Sequence, residues 1–417
     1  MGRNGSRSAY GEYHGQSRRA LTGGEWLALV LLASTLLATW WTDLRPVGAA
    51  PGTTAPVRSS TLVPLMPATP GASASGTASA ASPTPDAVDT IYPGAGVHTR
   101  LTLEADPAKV RRELAMVRAM GTPWIVEYFP WLYLQPNGPN DYDWTHADLV
   151  ITEARAQGLQ VIARIDGVPD WARPTNTTWK YLDPSAYPAY ARVVAAFAAR
   201  YSGSVGRVIV WNEPNLSLEW GGRAADPAGY AAMLKAVYPV VKAANPRVEV
   251  LAAGLAPTSS TNDATAMNDI TYLARLYDAG AGKYFDALAM HAYGGTHAPD
   301  ADPGLDPRVF RHVEKERTLM EARGDGAKPV YITEGGWNDS PRYDGSVRPA
   351  DRVRYTAAAY RYAQAHWPWA TAVAMWEFRL PEATNSPQDN WTFVTPDFLA
   401  KPVYEEVQKT LRPNRAP

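Results

Sequence analysis

The chain has 417 residues, enough for one large domain or two ordinary ones. Lys and Arg together number 40 against 41 Asp and Glu, so the net charge is near zero and no basic stripe is available for nucleic acid. There is no cysteine, which excludes a disulfide framework and thiolate metal sites and leaves stability to a large core. Trp (15) and Tyr (22) far outnumber Phe (7), and aromatics with a polar handle serve core packing and flat, wet binding surfaces alike.

The first ninety residues do not read as a folded domain. Residues 1–25 are a basic N-terminus in which Arg3, Arg7, Arg18 and Arg19 precede an apolar run from Trp26 to Trp41. Charge on the N-terminal side alone predicts an N-in, C-out orientation, with residues 26–44 as a transmembrane signal anchor or a signal peptide. Gly48-Ala49-Ala50 offers a small-residue cleavage site, but Pro51 directly after it suits a protease poorly, which favours the anchor. Residues 45–90 are Pro, Ala, Ser, Thr and Gly with hardly a charge, a composition that cannot bury enough apolar surface to offset ordering entropy and that reads as a linker.

From residue 91 to 417 one unit recurs: Asp-Pro opening a helix, an amphipathic stretch, a glycine, then a short apolar strand. Asp106-Pro107 opens a helix with Val110, Leu114, Val117 and Met120 on one face and Gly121 as its stop; Asp183-Pro184 and Asp226-Pro227 open two more. Asp caps free amides, and Pro at the first helical position loses no hydrogen bond. The candidate strands are Gly94–His98, Trp124–Tyr128, Gln160–Ile165, Val208–Trp211, Glu249–Leu255, Ala287–His291, Val330–Thr333 and Ala372–Trp376. Most are apolar on both alternations, as strands buried on both faces require. Strands alternating with helices over this length predict a (β/α)8 barrel. An open doubly wound sheet would give a similar order, but no Gly-x-Gly-x-x-Gly follows the first strand.

Two carboxylates end candidate strands. Glu213 lies in Trp211-Asn212-Glu213-Pro214-Asn215 after Val208-Ile209-Val210, and Glu334 ends Val330-Tyr331-Ile332-Thr333 before Gly335-Gly336-Trp337. A carboxylate pair at the C-terminal mouth of a barrel is the equipment of glycosidic bond cleavage. The pattern resembles clan A retaining glycoside hydrolases of families 5 and 39, in which an Asn-Glu-Pro ends the fourth strand and a glutamate ends the seventh. That resemblance, running from about Ile91 to about Thr410, implies Glu213 as acid/base and Glu334 as nucleophile. It further implies Asn212 as donor to the substrate 2-hydroxyl, Trp376 as floor of the first sugar subsite, and His291 and Tyr293 beside the nucleophile. Arg164, at the third strand end, and Trp337 complete the expected substrate-binding set, while Glu127 and Glu377 stand near strand ends as rivals for the catalytic roles. Burying Glu334 as an anion needs donors, and Arg164, Asn212, His291 and Tyr293 are the candidates.

Other chemistries fit less well. Metal hydrolysis on a barrel wants His-x-His at the first strand, and His98 stands alone there; a serine triad lacks its Gly-x-Ser-x-Gly elbow. The expectation is therefore an enzyme with no metal or other cofactor, a carbohydrate partner, a membrane contact through residues 26–44, and neither nucleic acid nor obligate protein partner. Its place would be the outer face of the cell membrane, or secretion. A transglycosidase using the same residues, and a non-catalytic carbohydrate-binding barrel, are the alternatives. Loops Pro130–Trp144, Leu216–Ala225 and Gly294–Pro307 would shape the cleft.

Overall fold

The computed structural model describes residues 86–412 except Thr261. The basic N-terminus, the anchor and nearly all of the linker lie outside the described residues. Among those described, no helix is long and apolar enough to cross a membrane.

Eight strands close into a parallel barrel in sequence order: β1 (Ala95–His98), β2 (Trp124–Tyr128), β3 (Gln160–Ile165), β4 (Val205–Val210), β5 (Glu249–Ala252), β6 (Ala287–Tyr293), β7 (Val330–Gly336) and β8 (Ala370–Met375). Closure is made by β1 against β8, Val97 lying opposite Met375. Every predicted strand is present. β4 starts three residues earlier and β5 ends three residues sooner than expected, while β6 and β7 run two and three residues further than their apolar runs and carry Tyr293 and Glu334 inside the sheet. Polar residues there mark a site rather than a strand end.

Among the described residues, eight helices of ten residues or more surround the barrel: α1 (Pro107–Met120), α2 (Thr145–Ala156), α3 (Tyr187–Arg200), α4 (Pro227–Ala244), α5 (Asp269–Asp278), α6 (Val313–Ala322), α7 (Pro349–His366) and α8 (Pro402–Leu411). The Asp-Pro signals act as read. Asp106 accepts from the Ala108 amide at 2.8 Å, and Asp226 accepts from Gly229 at 2.8 Å. Asp183 caps a short 3-10 turn, Pro184–Ala186, that leads into α3. The α1 stop at Gly121 has φ 91°, a left-handed conformation that costs glycine nothing. The chain ends of the folded unit meet, with the Ile91 amide donating to the Leu411 carbonyl at 2.9 Å. Strand residues such as Val97, Ile125, Val208 and Ile332 are fully buried in the hydrophobic core shared with the surrounding helices. This rigid platform fixes the strand ends, and hence the positions of the side chains they carry.

Candidate active site

Glu213 emerges just past β4 on a constrained turn. Trp211 has φ 77° and Glu213 has φ 37°, values that side-chain-bearing residues rarely adopt and that cost roughly 1–3 kcal/mol each. The surroundings hold the turn. The Trp211 indole donates to the Glu219 carbonyl at 2.7 Å, the Glu213 amide donates to the Gly254 carbonyl at 3.1 Å, and the Asn215 side chain donates to the Ala256 and Met267 carbonyls. Gly254 is required by contact, since a Cβ there would lie 2.4 Å from the His291 ring.

A register shift between Met290 and His291 sets His291 opposite Glu334 instead of Thr333. One carboxylate oxygen of Glu213, one of Glu334 and a ring nitrogen of His291 consequently lie within 4.8 Å of one another. The two carboxyls differ sharply in surroundings. Glu334 Oε1 accepts from Arg164 Nη1 at 2.6 Å, and its Oε2 accepts from the Tyr293 hydroxyl at 2.7 Å. His98 Nε2 stands 3.9 Å from Oε1 and His291 Nδ1 3.8 Å from Oε2. Burial alone would raise the Glu334 pKa, but the His291, Arg164 and His98 charges and the Tyr293 hydrogen bond outweigh it and hold the group down at about 2. Glu213 has one ring partner, His291 Nδ1 at 2.8 Å, and is the more open of the two, its side chain 13% exposed against 7% for Glu334. His291 is pulled two ways: burial lowers its pKa, while the Glu334 charge and the bond to Glu213 raise it, and the net shift is upward.

This trio has the spacing of a metal site, but the residues do not suit one. A divalent ion bridging the carboxylates would sit beside the guanidinium already 2.6 Å from Glu334. Fixed cation and metal would repel each other in a buried site.

Arg164 is itself held from behind. Its Nη1 also donates to Asn212 Oδ1 at 3.0 Å, and its Nε lies 3.5 Å from Asp166. Asp166 pairs with Lys180 at 2.7 Å, and Lys180 with Glu219 at 2.7 Å, so a buried chain of alternating charges backs the site. Against the expected donor set, Arg164 and Tyr293 do serve Glu334. His291 instead serves Glu213, and Asn212 accepts rather than donates, because two acceptors in one pocket share one guanidinium. With Oδ1 taken by Arg164, the donor group left to the Asn212 side chain is its amide nitrogen.

Trp376 follows β8 at the barrel mouth, partly exposed, with His98 edge-on at 4.6 Å between ring centroids and the Arg100 guanidinium 5.1 Å over its face. Trp337 does not belong to the cleft. It is 1% exposed, its indole donates to the His297 carbonyl at 2.7 Å, and its ring packs on Phe310 and Tyr355, so it is core. Glu127 is spent structurally: it accepts from the Thr99 and Thr102 hydroxyls and from the Leu101 and Thr102 amides. Glu377 lies close enough to Glu334 to feel its charge, but both its oxygens are sealed from solvent, and burial, tempered by Arg100 at 3.5 Å, pushes its pKa up to about 7. His98, Lys180 and Glu219 escaped sequence reading. His98 had the one available signal, a polar residue closing an apolar strand; the other two sit in loops without a pattern.

No protein-family model matches this chain, and no curated protein sequence does either. Solved structures do. A family 39 glycoside hydrolase from Bacteroides cellulosilyticus WH2 superposes with TM-score 0.61 at 20% identity, over 79% of this chain and 65% of that one. A GH39 β-xylosidase from Caulobacter crescentus gives 0.54 at 19% identity over 77% of this chain and 71% of that one. A GH5_18 enzyme from Bifidobacterium longum subsp. longum, in complex with Manβ1-4GlcNAc, gives 0.58 at 15% identity over 76% and 77%. The fold is that of these glycoside hydrolases. The chain spans about two thirds of the length of the first, and at such identities the likeness speaks for the barrel, while the chemistry rests on the side chains described above.

Proposed function

We propose that this chain is a retaining glycoside hydrolase that cleaves β-linked oligo- or polysaccharide by double displacement. The observation that carries the proposal is a pair of carboxyls with oxygens within 4.8 Å, one clamped as an anion and the other open and bonded to a histidine. Retaining enzymes space the pair ~5–5.5 Å apart, inverting enzymes ~6.5–9.5 Å to admit a water between them. Glu334, ionised and oriented by Arg164 and Tyr293, attacks the anomeric carbon. Glu213 gives its proton to the departing oxygen, leaving a glycosyl ester on Glu334. Glu213 then takes a proton from water, the water attacks the same carbon, and Glu334 leaves as a carboxylate. Asn212 donates to the 2-hydroxyl and Trp376 carries the sugar face. An acceptor sugar in place of water would make the same residues a transglycosidase. The neighbours' names support glycosidase chemistry, and β-linked ligands agree with it.

The experiment is product stereochemistry. The fragment 86–417 is given aryl β-glycosides and the first-formed anomer is read by proton NMR. A β product supports the mechanism; an α product rules it out, and no hydrolysis of any aryl glycoside favours the non-catalytic reading. The N-terminal arginines and linker composition support an external, membrane-tethered domain. Protease treatment of intact cells should then release a fragment beginning within residues 45–90, and a domain released only on lysis would overturn that placement.

A further inference from the structure

Beyond the catalytic pair, aromatic rings continue from the nucleophile along one side of the mouth. Tyr293, whose hydroxyl holds Glu334, has the Trp391 ring 5.4 Å away, and Trp391 has Tyr343 6.0 Å away, each edge to face. All three are partly exposed. The path ends at an open cavity of about 160 Å³ between the loops after β6 and β7, its walls supplied by Thr296, His297, Asp306, Arg308 and Asp344. That is below the roughly 300–1,000 Å³ of pockets for drug-sized ligands, so this one takes a single ring, not a chain. Its chemistry is prearranged. Arg308 grips Asp306 through two parallel bonds of 3.0 Å, while the Arg308 backbone amide donates to the same carboxylate at 2.7 Å. Asp344 is exposed at the rim. Two carboxylates against one guanidinium give the pocket an excess of fixed acceptors. A hydroxyl-rich ligand supplies donors to them, whereas an anionic ligand is repelled.

We infer that this cavity is a distal sugar-binding subsite, reached over Tyr293, Trp391 and Tyr343, which takes an uncharged sugar unit of a chain whose scissile bond lies at Glu213 and Glu334. The inference rests on the glycosidase reading and narrows it. The substrate is an uncharged oligosaccharide long enough to span the rim, and uronic-acid chains are discriminated against.

The test compares Asp344→Ala and Tyr343→Ala with wild type on an aryl monoglycoside and on uncharged β-linked oligosaccharides of increasing length. The monoglycoside does not reach the cavity, so its kcat/KM should not change. Long oligosaccharides should lose about ten-fold in kcat/KM through a raised KM, the worth of one hydrogen bond to a charged group. Equal losses on short and long substrates, or no loss on either, would overturn the subsite. Thermal unfolding of both variants identifies any loss that comes from the fold. If wild type hydrolyses nothing, calorimetric binding of the same oligosaccharides still decides: binding that weakens in Asp344→Ala keeps the subsite while the catalytic reading falls, and no binding to wild type removes it.

Discussion

Arg164 offers the sharpest perturbation of the proposed nucleophile. Its Nη1 lies 2.6 Å from Glu334 Oε1, and both residues are nearly sealed, at 9% and 5% exposure. Two unit charges with centres ~4 Å apart at an effective dielectric of ~20 attract by about 4 kcal/mol, and each ~1.36 kcal/mol is one pKa unit. Arg164→Gln removes that attraction and leaves the burial penalty, so the Glu334 pKa should climb about three units from its value of about 2. The nucleophile must be ionised, so in Arg164→Gln an acidic limb should enter the kcat/KM profile near pH 5, where wild type is flat. Arg164→Lys keeps the charge while losing the shared bond to Asn212, and should keep the flat acidic side with a lower plateau. The sign for stability follows the same shift. A depressed carboxylate stabilises the fold above its unfolded value of ~4.3, and this contribution is lost as pH falls toward 2. In Arg164→Gln it disappears at every pH. The assay is hydrolysis of an aryl glycoside with a good leaving group from pH 3 to 9, alongside thermal unfolding. Identical acidic limbs in Arg164→Gln and wild type would refute the assignment of Glu334 as the clamped nucleophile.

Two further outcomes follow from the same geometry. Trp376→Ala should lower kcat/KM by roughly ten- to hundred-fold, about 1.5–3 kcal/mol for one buried apolar face, with little change in Tm; a stability loss of ~3–5 kcal/mol would instead mark Trp376 as core. Glu377→Gln should stabilise the protein at high pH. The native pKa of about 7 is raised above the unfolded value, so the ionisable group's favourable contribution is full below pH ~4.3 and lost as pH rises through 7. The variant should gain about 3 kcal/mol over wild type at pH 8 and little at pH 4, read from urea unfolding at the two pH values; equal effects at both would refute the buried, near-neutral carboxyl.

Much of this arrangement is written in the sequence because each part has a local cause. Most of strands β1 to β8 are apolar on both faces, and Asp106, Asp183 and Asp226 announce helices without help from the rest of the chain. Glu213 and Glu334 are legible because a carboxylate closing an apolar strand has few other reasons to be there. Partnership is not legible. Which carboxylate His291 serves depends on a bulge between Met290 and His291 and on the approach of Gly254 to the imidazole, both set by neighbouring segments. Lys180 and Glu219 come from segments whose sequence has no period, and only closure of the barrel makes Lys180 the shared counter-charge of Asp166 and Glu219. Trp337 misleads for the converse reason. It is three residues past Glu334, but the chain turns there and the indole goes inward to the His297 carbonyl.

The proposed division of labour between the glutamates follows from where fixed charge lies. A double displacement needs one proton on the pair at the start, and it must be deliverable to the leaving group. Glu334 has Arg164 on one oxygen and Tyr293 on the other, so a proton placed there would meet a guanidinium at 2.6 Å. Glu213 has only His291, a ring that can share a proton with it at 2.8 Å, and it is the carboxyl with access to water. The proton therefore belongs on the Glu213 side, and that has a stereochemical consequence. Glu213→Ala should spare substrates whose leaving groups need no proton, and azide entering the vacated space should intercept the Glu334 ester to give a β-glycosyl azide from a β-glycoside. Glu334→Ala should be inactive on every substrate, with azide restoring turnover only as the α product. Inverted azide from the Glu213 variant would exchange the two roles, and with them the meaning of the Arg164 clamp.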